Sequence, residues 1–201
     1  MTEDAPQNGK GPALTSGEAA AMLLQIAAET EVDGVAYLPG AKELNIQAKR
    51  LDLSILPAGV FTDLLCYWQS KCKDGRLPAR ADIDPLDFPQ ALGHVSLLDV
   101  CQDPLHFRFR LDGSLVAEHR GQDMTGRSTD EVRPLALANI LRTHYTQVAT
   151  SGEPNFHEIR FFQGAETVTY KGLALPLSDD GEQVTMILVC TLSTEALLDL
   201  L

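Results

Sequence analysis

"LHFRFRLDG" (residues 105–113) decides the fold. Leu105, Phe107, Phe109 and Leu111 alternate with His106, Arg108 and Arg110, so one face is apolar and the other polar. A period of two is the mark of a strand half-buried in an antiparallel sheet. The stretch just before it, "HVSLLDVC" (94–101), is apolar and rich in β-branched residues, and "QDP" between the two is a turn signal. The pair therefore reads as a β-hairpin.

Downstream, "LALANILRTHYTQVATSG" (135–152) switches to a helical period. Leu137, Ile140, Leu141, His144, Tyr145 and Val148 form one stripe, and Gly152 is the stop. Three further strands come next, "NFHEIRFFQ" (155–163), "TVTYKGLALPL" (167–177) and "QVTMILVCTL" (183–192), joined by the short links "GAE" and "SDDGE". The polar segment 114–134 is helical only in fragments. The order β-β-(short helices)-α-β-β-β predicts an α+β domain, a five-stranded antiparallel sheet with helices packed on one face, from Leu77 on.

Upstream the signals thin out. Residues 1–14 are polar and Gly/Pro-rich and read as disordered. Residues 15–31 carry a T-x-x-E capping box, Thr15 to Glu18, and strong helix formers. Residues 33–57, interrupted by Pro39 and Pro57, yield no element. "GVFTDLLCYWQSKCKDG" (59–75) is an amphipathic helix whose stripe holds Phe61, Leu64, Leu65 and Trp68. The predicted organisation is an extension over 1–58, a flanking helix over 59–76, the sheet domain over 77–194 and a short closing helix over 195–201.

Composition narrows the function. The chain has 201 residues, 44% of them hydrophobic, and a net charge of −12. That suits one ordinary domain with a core. Nucleic-acid binding needs clustered Lys and Arg, and anionic lipid needs a polybasic helix; neither is present, so neither partner is expected. No apolar run reaches the roughly 20 residues that span a bilayer. The acidic start "MTEDAPQNGKGP" is unlike a secretory signal, which predicts a cytoplasmic protein. Cys66, Cys72, Cys101 and Cys190 include no C-x-x-C pair, so reduced thiols are expected rather than zinc.

"GQDMTGRS" (121–128) fits the phosphate-loop pattern G-x-x-x-x-G-K-S/T except for Arg127. Such a loop needs a buried parallel strand before it and one long helix after it. "LVAEHR" is no such strand, Asp123 would set a carboxylate against phosphate, and Pro134 interrupts the helix on the far side. The residues read better as a turn. Gly121 and Gly126 allow unusual backbone angles, Asp123 caps or pairs with Arg127, and Ser128 with Glu131 forms a capping box. "DIDPLD" (82–87) places carboxylates at Asp82, Asp84 and Asp87, but the EF-hand spacing fails at Leu86 and Asp87, so turn and cap chemistry is the better account and no metal is expected.

The element order, with "LPARADIDPLDFPQALGHVSLLDV", "FRFRLDGS", "GQDMTGR" and "LALPLSDDGEQVTMIL", resembles a bacterial family of PAS sensor domains over Leu77 to about Thr194. Its members share an L-P-x-R-x-D-I-D-P leader, a G-x-D-x-T-G-R segment and a late L-P-L-x-x-D-G turn. The resemblance implies a PAS fold and a non-catalytic regulatory module that binds a small molecule, a protein partner or both. It places the long helix across a ligand cavity from the sheet, with Phe107, Phe109, His144, Tyr145, Tyr170 and Met186 as candidate lining residues. His144 is the candidate for a ligand hydrogen bond or a haem iron. No cofactor is assigned: haem and flavin are not expected, and a flavin-photoreceptor cysteine motif is absent. PAS domains pair through flanking helices, so Phe61, Leu64, Leu65 and Trp68 are the candidate homodimer interface. The alternatives are an enzyme on a steroid-isomerase-like cone fold, which the early hairpin disfavours, and a scaffolding protein with an empty core.

Overall fold

The computed structural model describes residues 45–163 and 166–194. Within them the chain forms β1 (Asn45–Leu51), α1 (Val60–Lys71), β2 (Val95–Cys101), β3 (His106–Leu111), α2 (Ser114–Arg120), α3 (Leu135–Ser151), β4 (Asn155–Gln163), β5 (Glu166–Leu177) and β6 (Met186–Ser193), with short 3-10 turns between. The strands make one antiparallel sheet in the order β1-β4-β5-β6-β2-β3. The architecture is α+β, as the alternation and the hairpin signals dictate. The features read over residues 1–31 and 195–201 lie outside the described residues. Among the described residues no helix is long and apolar enough to cross a membrane.

Two expectations need correction. The sheet has six strands, not five. The sixth, β1, lies in the stretch where the sequence yields no element, and it pairs with β4 in the register Lys49↔Glu158 and Leu51↔Phe156. Its side chains are mostly exposed, so it lacks an apolar alternation. Backbone pairing to β4 holds it, with a Lys49–Glu158 contact of 3.3 Å. A short, charged strand of this kind is what protects a sheet edge.

The helices also occupy both faces of the sheet. α2 and α3 cover the inner face, where Leu98, Phe107, Phe109, Ile159, Phe161, Ala174, Ile187 and Val189 form a core with Leu137, Leu141, Tyr145 and Val148. α1 covers the outer face. Its Phe61, Leu64 and Trp68 are buried against Phe156, Leu173, Leu175, Leu188 and Leu192. The Phe61 and Phe156 rings meet edge-on at 5.5 Å, and the Trp68 indole N–H donates to the Pro176 carbonyl at 2.8 Å. The stripe assigned to a homodimer interface is thus filled from within the chain. Phe61 and Leu64 are 0% exposed and Trp68 6%, so of the stripe only the half-buried Leu65 keeps apolar surface outside the chain's own core.

The same alternation explains the two cores. Along β6, Ile187 and Val189 face inward while Met186, Leu188, Cys190 and Leu192 face α1. Burial on that outer side pushes the Cys190 thiol up to about 12.

Candidate functional site

A cavity of about 80 Å³ lies between the inner face of the sheet and helices α2 and α3. Its apolar wall comes from Phe109, Val116, Leu137, Leu141, Ile159, Phe161 and Val189, and its polar groups include Ser96, Arg120, Tyr145, His157, Tyr170 and Thr191. A few placed polar groups in an apolar wall are the usual make-up of a small-molecule site.

His157 is the most constrained of these groups. On β4, Asn155, His157, Ile159 and Phe161 alternate with outer-face residues, so all four project inward. His157 pairs across the sheet with Gly172 of β5, which in turn pairs with Thr191 of β6. Its ring stacks on that of His144 with centroids 4.3 Å apart and planes 13° from parallel. Its Nδ1 lies 3.2 Å from Asn155 Oδ1, and Asn155 Nδ2 donates to Gln147 Oε1 at 3.1 Å. Burial, with the neighbouring His144 adding to it, pushes the His157 imidazole down to about 3. His144 is lowered as well, by burial first and then by Arg50 of β1. Both rings are neutral at pH 7.

A second polar cluster closes the other end. The Asp112 side chain is fully buried and accepts from Ser96 Oγ at 2.8 Å and from the Met124 amide at 3.1 Å. It also pairs with Arg120, whose guanidinium lies 5.3 Å from the centroid of the Phe109 ring. One carboxylate therefore joins β2, β3, the end of α2 and the loop after it. Tyr145 is buried near this pair, and its phenol is raised by burial.

Of the residues singled out in the sequence, Phe109, Tyr145 and Tyr170 line the cavity. Phe107 is buried in the inner core and meets the Tyr145 ring edge-on at 5.7 Å, outside the cavity wall. His144 is buried and inward, but the wall at that point is made by the His157 ring stacked on it. Met186 is a correction: it belongs to the outer core under α1, because strand alternation turns it away when Ile187 faces in. His157, Ser96 and Arg120 were missed. Two signals for His157 were present: its alternation with Ile159 and Phe161, and Gly172 in the middle of a strand, which marks close approach of another group.

"GQDMTGRS" is built as a turn alongside β3. Gly121 ends α2 with φ 75°, and Gly126 has φ 82°. Asp123 Oδ1 accepts from the Thr125 amide at 2.8 Å, and that contact lowers its carboxyl. The Gly126 amide donates to the Phe109 carbonyl at 2.7 Å. Ser128 and Glu131 form the reciprocal capping box, on a 3-10 turn, and Arg127 lies 3.9 Å from Glu131. Met124 is 0% exposed and plugs the inner core. In the leader, Asp82 accepts from the Ala79 amide, Asp84 from the Leu86 amide, and Asp87 lies 3.6 Å from Lys71. Among the described residues no three His, Cys, Asp or Glu side chains converge as metal ligands.

An antiparallel sheet with an early hairpin, a helical crossover and a cavity under the long helix defines a sensor-type α+β domain. The chain belongs to the PAS domain family, whose model matches residues 60–191. The match begins at the first residue of α1, so it takes in the helix that covers the outer face. No curated protein sequence matches the chain at a significant level. The solved structure of an RNA-binding light-oxygen-voltage receptor is similar at a TM-score of 0.41 and 11% identity, over 82% of this chain and 42% of that one. The chain thus corresponds to less than half of that receptor, and a likeness this distant bears on neither ligand nor partner.

Proposed function

We propose that the protein is a PAS-type sensory module that binds a small molecule in the cavity between the sheet and α2–α3, and that signals through association with a protein partner rather than by catalysis. The observation that carries this reading is His157: a buried, neutral imidazole on the cavity wall, oriented by Asn155 and Gln147, in a core that could have been filled with an apolar side chain. Polar groups are not left in such places without a partner to satisfy them. The chemistry of the wall supports binding over turnover. The Ser96 hydroxyl donates to one oxygen of Asp112, and the other oxygen is already held by Arg120 and the Met124 amide. A ligand changes the output only if it binds two states of the module unequally. α2 suits that role, because its last turn carries Arg120 at the cavity and leads directly into the exposed turn beginning at Gly121.

Native mass spectrometry of the purified protein, with thermal-shift screening of small apolar molecules, tests the reading. It predicts a retained or added small mass and a raised melting temperature. Protein of bare sequence mass whose melting temperature no compound changes would refute it.

A further inference from the structure

The wall of this cavity also says what kind of molecule it takes, an inference that rests on the ligand-binding reading above. The starting point is the direction of one hydrogen bond. Asn155 gives its Nδ2 hydrogen to Gln147 Oε1, which turns its Oδ1 toward His157. In this orientation the amide oxygen accepts, and His157 Nδ1 carries the ring proton. The other nitrogen, Nε2, is then a bare lone pair. It has no hydrogen-bond partner among the described residues, although the residue is only 3% exposed and lines the cavity.

The surroundings hold that lone pair in place. His144 covers one face of the ring. Gly172 supplies the room for its Nε2 edge: a Cβ at that position would lie 2.4 Å from Nε2. Around it the wall is mainly apolar, and Arg120, which reaches it, is already paired with the buried Asp112. A cation would meet no carboxylate on this wall, and an anion would have to compete with Asp112 for Arg120, since alternation along β5 turns Lys171 to the outer face with Leu173 and Leu175. A neutral molecule with an apolar body and one hydrogen to give would satisfy the wall. We propose that the cavity selects a small neutral molecule of about phenol size bearing one hydroxyl or N–H donor, and that His157 Nε2 receives that hydrogen. A site that offers a buried hydrogen-bonding group discriminates against the analogue lacking its partner, because the group is then left unpaired.

The test uses the whole protein at pH 7 with phenol and toluene, which have similar shapes but differ in the donor. In the wild type, phenol shifts the ¹⁵N resonance of His157 Nε2 and toluene does not. The unliganded spectrum shows the tautomer protonated at Nδ1. In His157→Phe the ratio of phenol to toluene affinity falls by about tenfold, the worth of one neutral hydrogen bond. The ¹⁵N measurement needs no variant and stands even if His157→Phe folds poorly. A tautomer protonated at Nε2, an Nε2 resonance indifferent to phenol, or an unchanged affinity ratio with both probes bound would overturn the proposal and leave the ligand-binding reading intact. If no small molecule of any class binds, both fall together.

Discussion

The imidazole of His157 occupies the space that a side chain on residue 172 would need: a Cβ built on Gly172 would meet His157 Nε2 at 2.4 Å and Cε1 at 2.6 Å. The two residues face each other on β4 and β5. The ring cannot retreat, because His144 is stacked against it and Asn155 holds Nδ1.

Gly172→Ala therefore overpacks the inner face and should cost about 1–3 kcal/mol. Urea denaturation measures it. Adding His157→Ala to Gly172→Ala should recover part of the loss, so the two substitutions are non-additive. Purely additive losses would show that the ring and the glycine do not share one space.

Stability should fall on acidification through His157. Its folded-state pKa is pushed down to about 3, below the roughly 6.5 of a free histidine. Between those values the unfolded chain binds a proton that the folded chain refuses, so unfolding becomes easier as pH drops. The contribution is constant above about pH 6.5 and is lost at about 1.4 kcal/mol per pH unit below it. His144 on α3 is lowered too, by burial first and then by Arg50 on β1, so the wild-type slope exceeds that of one group. His157→Phe should flatten it by about one proton, read from denaturation midpoints between about pH 6 and 4. An identical slope in the variant would contradict the buried, neutral imidazole.

α1 is part of the core and should behave so. Phe61→Ala should cost about 3–5 kcal/mol, as large-to-small changes in a core do. Trp68→Phe loses a further buried hydrogen bond to Pro176. The loss should be the same at low and high protein concentration. A Phe61→Ala variant that keeps its melting temperature and changes only its association state would return the stripe to an interface role.

The alternation of Phe107 and Phe109 and of Ile159 and Phe161 made the strands legible, and the Leu137–Val148 stripe made α3 legible. What escaped were relations that no local pattern contains. β1 carries only Ile46, Ala48 and Leu51 as apolar residues among Asn45, Gln47, Lys49 and Arg50, and it is a strand only because β4 offers it a free edge. The stripe of Phe61, Leu64 and Trp68 announced a buried face without naming what buries it. Asp112 in "RLDGS" has the look of a turn residue, yet its carboxylate is a buried junction.

That junction predicts its own variant. Asp112→Ala leaves the half-buried Arg120 and the Ser96 hydroxyl without their partner, which should cost about 1–3 kcal/mol. It also removes the acceptor of the Met124 amide. Hydrogen exchange should therefore accelerate at Met124 more than in β5 or β6. Uniform acceleration across all three would show that Asp112 stabilises the domain without specifically holding the loop.

Methyl-labelled protein titrated with toluene and with phenol tests the central claim most directly, because the sheet's two faces serve as site and control. Ligand binding in the cavity predicts saturable shifts at Leu137, Leu141, Ile159 and Val189, which line it, with Leu175, Leu188 and Leu192 on the α1 side left in place. No saturable shift at the first set, or equal shifts at both, would contradict the account.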